Sequence, residues 1–226
     1  MRMTTSIPRK RRRTRGAGRP SGDDRDLREA LLDAAIQRFV RVGIGAASLR
    51  SIADAAGVTP AMLHYYFGDK ERLVQAMIGE RLLPALAKVQ ERLQEAGDDP
   101  AKLIGGFVRG LGEVIRTHPW LPPLWVREVL CEGGALRALL VHELAPKMPH
   151  MLAERLAAAQ RAGRLPAHLD PRLLVVSLVG LTLFPAAGAP IWEQIFNLEA
   201  STSDVLAEHA LGLLSQGLQL DFGGVA

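Results

Sequence analysis

The fold is decided by Ser48-Leu49-Arg50-Ser51-Ile52-Ala53-Asp54-Ala55-Ala56-Gly57-Val58-Thr59-Pro60-Ala61-Met62-Leu63-His64-Tyr65-Tyr66-Phe67. Ser48 is placed to cap a short helix with Leu49, Ile52, Ala53 and Ala56 on its inner face, and Gly57 ends it by accepting a left-handed turn. Thr59 then caps a second short helix with Pro60 at its first position, where a missing N–H costs nothing. Leu63 and Phe67, four apart, hold that helix to the core. A small residue for close crossing at Ala53, a turn glycine four on and an apolar anchor six further is the spacing of a helix-turn-helix.

Outward from this stretch the pattern stays helical. Leu27, Leu31, Ala34, Ala35, Phe39 and Val42 mark an amphipathic helix that starts at Asp24 and stops at Gly43-Ile44-Gly45. Lys70 to about Gln94 reads as a longer helix with Leu73, Met77, Leu82, Leu86, Val89 and Leu93 apolar and a kink at Pro84. After Gly97-Asp98-Asp99-Pro100, helices are expected at about 101–117, 121–131, 135–162 (interrupted near Pro146 and Pro149), 171–184 and 203–218. Gly106 and Gly110 share one side of their helix and predict a close helix contact. No β pattern and no internal repeat is present, so the fold class is all-α.

Residues 173–192 carry no charge over twenty positions, long enough on paper for a bilayer. Pro185, Gly188 and Pro190 are expected to break this helix after about twelve residues, roughly 18 Å, against a hydrocarbon core of roughly 30 Å. That favours a buried or subunit-interface helix, with no membrane partner.

The chain has 226 residues, 48% apolar and 23% charged, which fits an ordered globular protein. Its net charge of +4 is unevenly spread. Residues 1–25 hold nine Lys/Arg against two Asp, or +7, and the other 201 hold 19 basic against 22 acidic, or −3. Residues 1–23 therefore read as a disordered basic arm suited to a polyanion. One cysteine, Cys131, and no apolar leader point to the cytoplasm; Cys131 itself reads as a small buried hydrophobe.

The residues Phe39, Gly43, Ser48, Ile52, Ala53, Ala56-Gly57-Val58-Thr59, Leu63, Tyr65-Tyr66-Phe67, Lys70, Glu71 and Leu73 stand at the spacings of the tetracycline-repressor (TetR) family, which this sequence resembles over about residues 25–75. The resemblance implies a three-helix DNA-binding head over 24–70 and a helical ligand-binding and dimerisation domain over 71–226. It places Ser48 and Arg50 near phosphate or a base edge, and Thr59, Pro60, Ala61 and Met62 at the tip of a recognition helix in the major groove. His64, Tyr65 and Tyr66 would lie along the DNA backbone, with Tyr65 able to reach bases, and Lys70 would meet a phosphate. His64 stands where tyrosine is more usual in the family.

The residues support this separately. The only two tyrosines are adjacent on one short helix, and positions about 100° apart cannot all be core, so at least one hydroxyl should face outward toward phosphate oxygens. The competing reading packs both rings against neighbouring helices. The small and apolar tip reads thymine methyls by contact, leaving Arg50 as the candidate for guanine. In the arm, Gly18-Arg19-Pro20 preceded by Arg15 is similar to minor-groove AT-hooks, with Ala17 interrupting; a nonspecific tether is the other reading.

All three tryptophans lie beyond residue 118. Phe107, Trp120, Trp125, Met148, Met151 and Phe184 are materials for a pocket holding a small apolar effector, and equally for an ordinary core. Three prolines within Pro119-Trp120-Leu121-Pro122-Pro123 suggest an irregular cavity wall. The helices at about 171–184 and 203–218 are the expected homodimer contact. No nucleophile elbow, phosphate loop or metal spacing occurs, so no catalytic residue, metal or cofactor is expected and the chain is not read as an enzyme. The reading is a sequence-specific regulator of double-stranded DNA, a repressor released from a palindromic operator by its effector. The alternative is an amphiphile-binding or membrane-surface protein using its arm on anionic lipid.

Overall fold

The computed structural model describes residues 22–144, 147–198 and 203–222, and every described element is helical. Helices α1 (Gly22–Val42), α2 (Leu49–Ala56) and α3 (Pro60–Phe67) make the head. Helices α4 (Lys70–Met77) and α5 (Leu83–Glu95) are joined through a π turn, Ile78–Leu82, into one long element leaving the head. The expected irregularity at Pro84 is thus taken up one turn earlier, with Pro84 in the first turn of α5, where it needs no N–H partner.

The body follows as α6 (Pro100–Thr117), α7 (Leu121–Trp125) running into a π turn at Val126–Leu130, and α8 (Arg137–Leu139) running into a π turn at Leu140–Leu144. Then come α9 (Lys147–Arg161), α10 (Pro171–Phe196) and α11 (Ser203–Leu218). Gly106 and Gly110 bring α6 against α5 as expected: a Cβ on Gly110 would lie 3.6 Å from the Val89 Cα and 3.2 Å from the Arg92 Cδ.

The apolar residues segregate into two cores. One joins Leu31, Ala35 and Phe39 of α1 to Ile52, Leu63, Phe67, Leu73 and Met77, and is closed from the body side by Leu124, Val129 and Leu136. The other is built by α5, α6, α9, α10 and α11 around Leu93, Ile104, Val108, Leu156, Leu178 and Leu211. Trp120 and Trp125 pack against both cores, so the two halves meet at α7.

Two expectations are overturned. α10 does not end near residue 184; it runs 26 residues, about 39 Å at 1.5 Å per residue, with Pro185 and Pro190 inside it. Local propensity loses to packing here. Leu178, Thr182 and Leu183 are buried ahead of the prolines, and Gly188 seats the Trp192 indole, whose Nε1 lies 2.5 Å from where a Cβ would be. Asn197, in a left-handed conformation at φ 49°, ends the helix instead. α10 is therefore long and apolar enough to cross a membrane, a property it shares with core and interface helices of soluble proteins. Cys131 is exposed rather than buried, because the chain turns outward after the second π turn.

Candidate nucleic-acid interface

The helix-turn-helix forms as its residues dictate. Ser48 Oγ accepts from the Ser51 N–H at 3.1 Å and Ser51 Oγ accepts from the Ser48 N–H at 3.2 Å, a reciprocal cap that fixes the start of α2. Gly57 at φ 68° ends α2, and the following Val58 N–H returns to the Ala53 carbonyl at 3.0 Å. Pro60 opens α3, while the Thr59 side chain makes no capping bond.

The orientation of α3 follows from two anchors. Leu63 is fully buried and Phe67 nearly so, which turns the opposite face to solvent. Tyr65 is 81% exposed; Tyr66 is half-buried against the head core with its ring edge-on to Tyr65, centroids 5.1 Å apart. One tyrosine therefore faces outward as expected, and the competing reading that packs both rings is not met. Ser48, Arg50, Thr59, Pro60, Ala61 and His64 are exposed and Met62 half-buried, so the sequence-predicted contact residues of α2 and α3 are accessible to a partner.

His64 Nδ1 lies 2.5 Å from the Gly68 carbonyl, which ties this ring to the end of its own helix. Lys70 departs from expectation. Its Nζ donates to the carbonyls of Ile44 at 3.1 Å, Gly45 at 3.0 Å and Ala47 at 3.2 Å. An ammonium has three donors, so none remains for phosphate in this arrangement, and Lys70 instead clamps the α1–α2 turn to the start of α4. Arg15 and Arg19 lie outside the described residues.

Sequence reading passed over two residues that set the head's position. Arg28 donates to both Glu80 oxygens at 2.5 and 2.6 Å and lies over the Phe67 ring, 4.9 Å from its centroid, tying α1 to the first π turn. The Arg28 hydrogen bond holds the Glu80 carboxyl below the usual range. Glu128, 4% exposed, receives the Ile44 N–H at 2.9 Å and the Ala135 N–H at 3.0 Å. A charge inside an apolar run was the available signal, and spacing alone did not identify its partners.

The six residues expected to form an effector pocket do not come together. Trp120 and Trp125 line a wholly apolar cavity of about 70 Å³ with Leu86, Leu111, Leu121 and Leu183, at the seam between the two cores. Phe107 is 3% exposed inside the body core because α6 buries that face. Met148 and Met151 line a separate opening with Gln90, Gln94, Lys147 and Arg155. Phe184 is 62% exposed, since it falls on the side of α10 away from the body. Each of the three π turns contributes a wall residue to the seam cavity: Leu82, Val129 and Leu140. Such turns occur often at functional sites.

Comparison with known proteins places this arrangement. The sequence model of bacterial regulatory proteins of the tetR family matches residues 31–77, from within α1 through α4. The chain is 30% identical over 171 residues to the HTH-type transcriptional regulator RutR of Escherichia coli (strain K12), spanning 74% of this chain and 77% of that protein. It is 39% identical over 125 residues to the HTH-type nicotine-responsive transcriptional repressor HdnoR of Paenarthrobacter nicotinovorans, spanning 55% and 57% respectively. Among solved structures, the ketosteroid transcriptional regulator KstR2 of Mycobacterium tuberculosis has the same fold, with a TM-score of 0.70 at 19% identity over 86% of this chain and 95% of that one. AibR in complex with isovaleryl coenzyme A and operator DNA gives 0.62 at 21% identity, over 83% and 97%. With an outward helix-turn-helix on its own core and a regulator similar along three quarters of its length, the chain belongs to the TetR family of bacterial DNA-binding transcriptional regulators.

Proposed function

We propose that the protein is a homodimeric repressor that holds a two-fold symmetric operator through α2 and α3, and releases it when a small apolar molecule occupies the seam cavity. The observation that carries this reading is the division of α3: Leu63 fully buried and Tyr65 81% exposed, with Arg50, Thr59 and Ala61 exposed as well. Tyr65 and Ser48 offer hydroxyls to phosphate, and Arg50 offers a bidentate donor to guanine. Arg15 and Arg19 in the basic arm would add backbone or minor-groove contacts, so deleting residues 1–19 should flatten the salt dependence of binding.

The effector reading rests on the cavity's chemistry and place. Its wall carries no polar surface, and at about 70 Å³ it is smaller than the roughly 300–1,000 Å³ of ordinary ligand pockets, so an occupant must push the two cores apart. HdnoR is described as nicotine-responsive, and AibR was solved with isovaleryl coenzyme A and operator DNA, which supports an effector-controlled regulator. For the dimer, α10 leaves Leu173, Val176, Phe184 and Ile191 exposed, and α11 leaves Val205 and Leu213 exposed. Covering those side chains with a second copy removes apolar surface from water and sets two heads at a fixed separation. The protein acts by binding, without a catalytic step, in the cytoplasm where its DNA lies.

Selection of sites from random duplexes with purified protein tests the reading. A two-fold symmetric sequence should emerge. Absence of any enrichment, with co-sedimentation on anionic vesicles, would favour the membrane-surface alternative that the length of α10 allows.

A further inference from the structure

We propose that Glu128 is the positioning residue through which the seam cavity sets the attitude of the DNA-binding head. This rests on reading that cavity as the effector site. The carboxylate is buried, and its two oxygens are divided between the two halves of the molecule. Oε1 accepts from the Ile44 N–H in the α1–α2 turn at 2.9 Å, and Oε2 accepts from the Ala135 N–H in the body at 3.0 Å. A buried carboxylate must be satisfied by such donors, because leaving it unpaired costs several times an ordinary hydrogen bond.

The link reaches the cavity wall at one end and the frame of the head at the other. On the body side, Val129 follows Glu128 and Leu136 follows Ala135, and both line the cavity. Glu128 itself sits in the Val126–Leu130 π turn, a rare geometry that recurs at functional sites. On the head side, Ile44 is gripped at both of its backbone groups: its N–H by Glu128 and its carbonyl by Lys70 Nζ at 3.1 Å. Ile44 follows the end of α1, and Lys70 begins α4, so a displacement of Glu128 acts on the two helices that orient α2 and α3.

Two glycines make room for the link. Gly43 adopts φ +87°, and a Cβ there would come within 3.1 Å of Glu128 Oε1. A Cβ on Gly134 would come within 2.3 Å of the Glu128 carbonyl oxygen, so the returning turn can lie against the π turn only with glycine at that position. Gly43 thus brings the head's turn against the Glu128 carboxylate, and Gly134 brings the returning turn against the Glu128 backbone.

The test uses the full-length protein with Glu128→Gln, a cavity-filling Leu140→Trp, and the double variant, with Leu86→Phe as a second way to fill the cavity. The Gln side chain keeps the size but replaces one acceptor oxygen with an NH₂ that cannot receive a backbone N–H. Amide hydrogen exchange at Ile44 is read beside operator affinity, with the amides of Ile52 and Leu63 as controls for an intact head. Glu128→Gln should speed exchange at Ile44 by about tenfold or more, the equivalent of about 1.4 kcal/mol, with the controls unchanged. Filling the cavity should speed Ile44 in the parent chain and add nothing in the Glu128→Gln background. Unchanged Ile44 exchange in Glu128→Gln overturns the proposal. So does cavity filling that leaves Ile44 untouched in the parent, or that speeds it equally in both backgrounds. Filling that weakens operator binding without moving Ile44 removes Glu128 and leaves the effector reading standing. Filling that moves Ile44 only through Glu128, with operator affinity unchanged, keeps the link and removes the effector reading.

Discussion

α3 and α10 both leave large side chains in water, and the chemistry of what they expose separates their roles. α3 exposes Tyr65, whose ring ends in a hydroxyl, among Thr59, His64 and small residues. α10 exposes Leu173, Val176, Phe184, Ile191 and Ile195, which have no hydrogen-bonding capacity. A polyanion rewards the first kind of surface and a second protein surface rewards the second. Exposure alone is therefore not the mark of a DNA-reading face; exposure of donors on a helix anchored by its opposite side is.

The contrast breaks most visibly if α10 is given a charge. Phe184→Asp should convert the dimer to monomer in sedimentation experiments and lower operator affinity on the order of 10³-fold, because one head alone keeps little beyond nonspecific binding. A dimer of unchanged affinity would reassign the α10 face. Next in size, Leu63→Ala removes a fully buried anchor of α3 and should cost about 2–5 kcal/mol in denaturant unfolding, with the head melting before the body.

Smaller effects sharpen the comparison on the α3 side. Tyr65→Phe should leave the melting temperature unchanged while costing about 1 kcal/mol in operator binding. Arg50→Ala should cost about 1–3 kcal/mol and relax selectivity at one base pair. Equal losses on specific and random duplexes for Arg50→Ala would reduce it to a phosphate contact.

Much of the head was legible because its signals are local. Ser48, Gly57 and Pro60 act within one turn of themselves, and Leu63 and Phe67 fix a helix face by their spacing alone. The body was less legible, since its decisions are made by distant partners. Pro185 and Pro190 read as breakers, yet α10 runs through them, with Leu178 and Leu183 ahead of them buried in the body core. Of the six residues named for one pocket, Trp120 and Trp125 line the seam cavity, while Phe107 and Phe184, equally aromatic, went to the core and to the surface. Lys70 and Glu128 could not be placed from sequence, because their partners are backbone groups of a turn far along the chain.

The smallest expected effect concerns the start of α10. Asp170 caps it and pairs with Arg172 at 2.6 Å, and the Arg172 hydrogen bonds lower its pKa from the ordinary 3.8 to about 2. A depressed folded pKa stabilises above the unfolded value and fades as pH falls from 3.8 toward about 2. Asp170→Asn should therefore flatten the acid limb of the unfolding curve slightly in that window; an unchanged limb would mean the exposed pair contributes nothing measurable.

Hydroxyl-radical footprinting of the full-length protein on its selected duplex tests the central claim most directly. Two protected patches on one face of the DNA, separated by one helical turn of about 34–36 Å or a multiple of it, are predicted, each weakened by Tyr65→Phe. A single patch, or uniform protection along the duplex that Tyr65→Phe leaves unaltered, would contradict it.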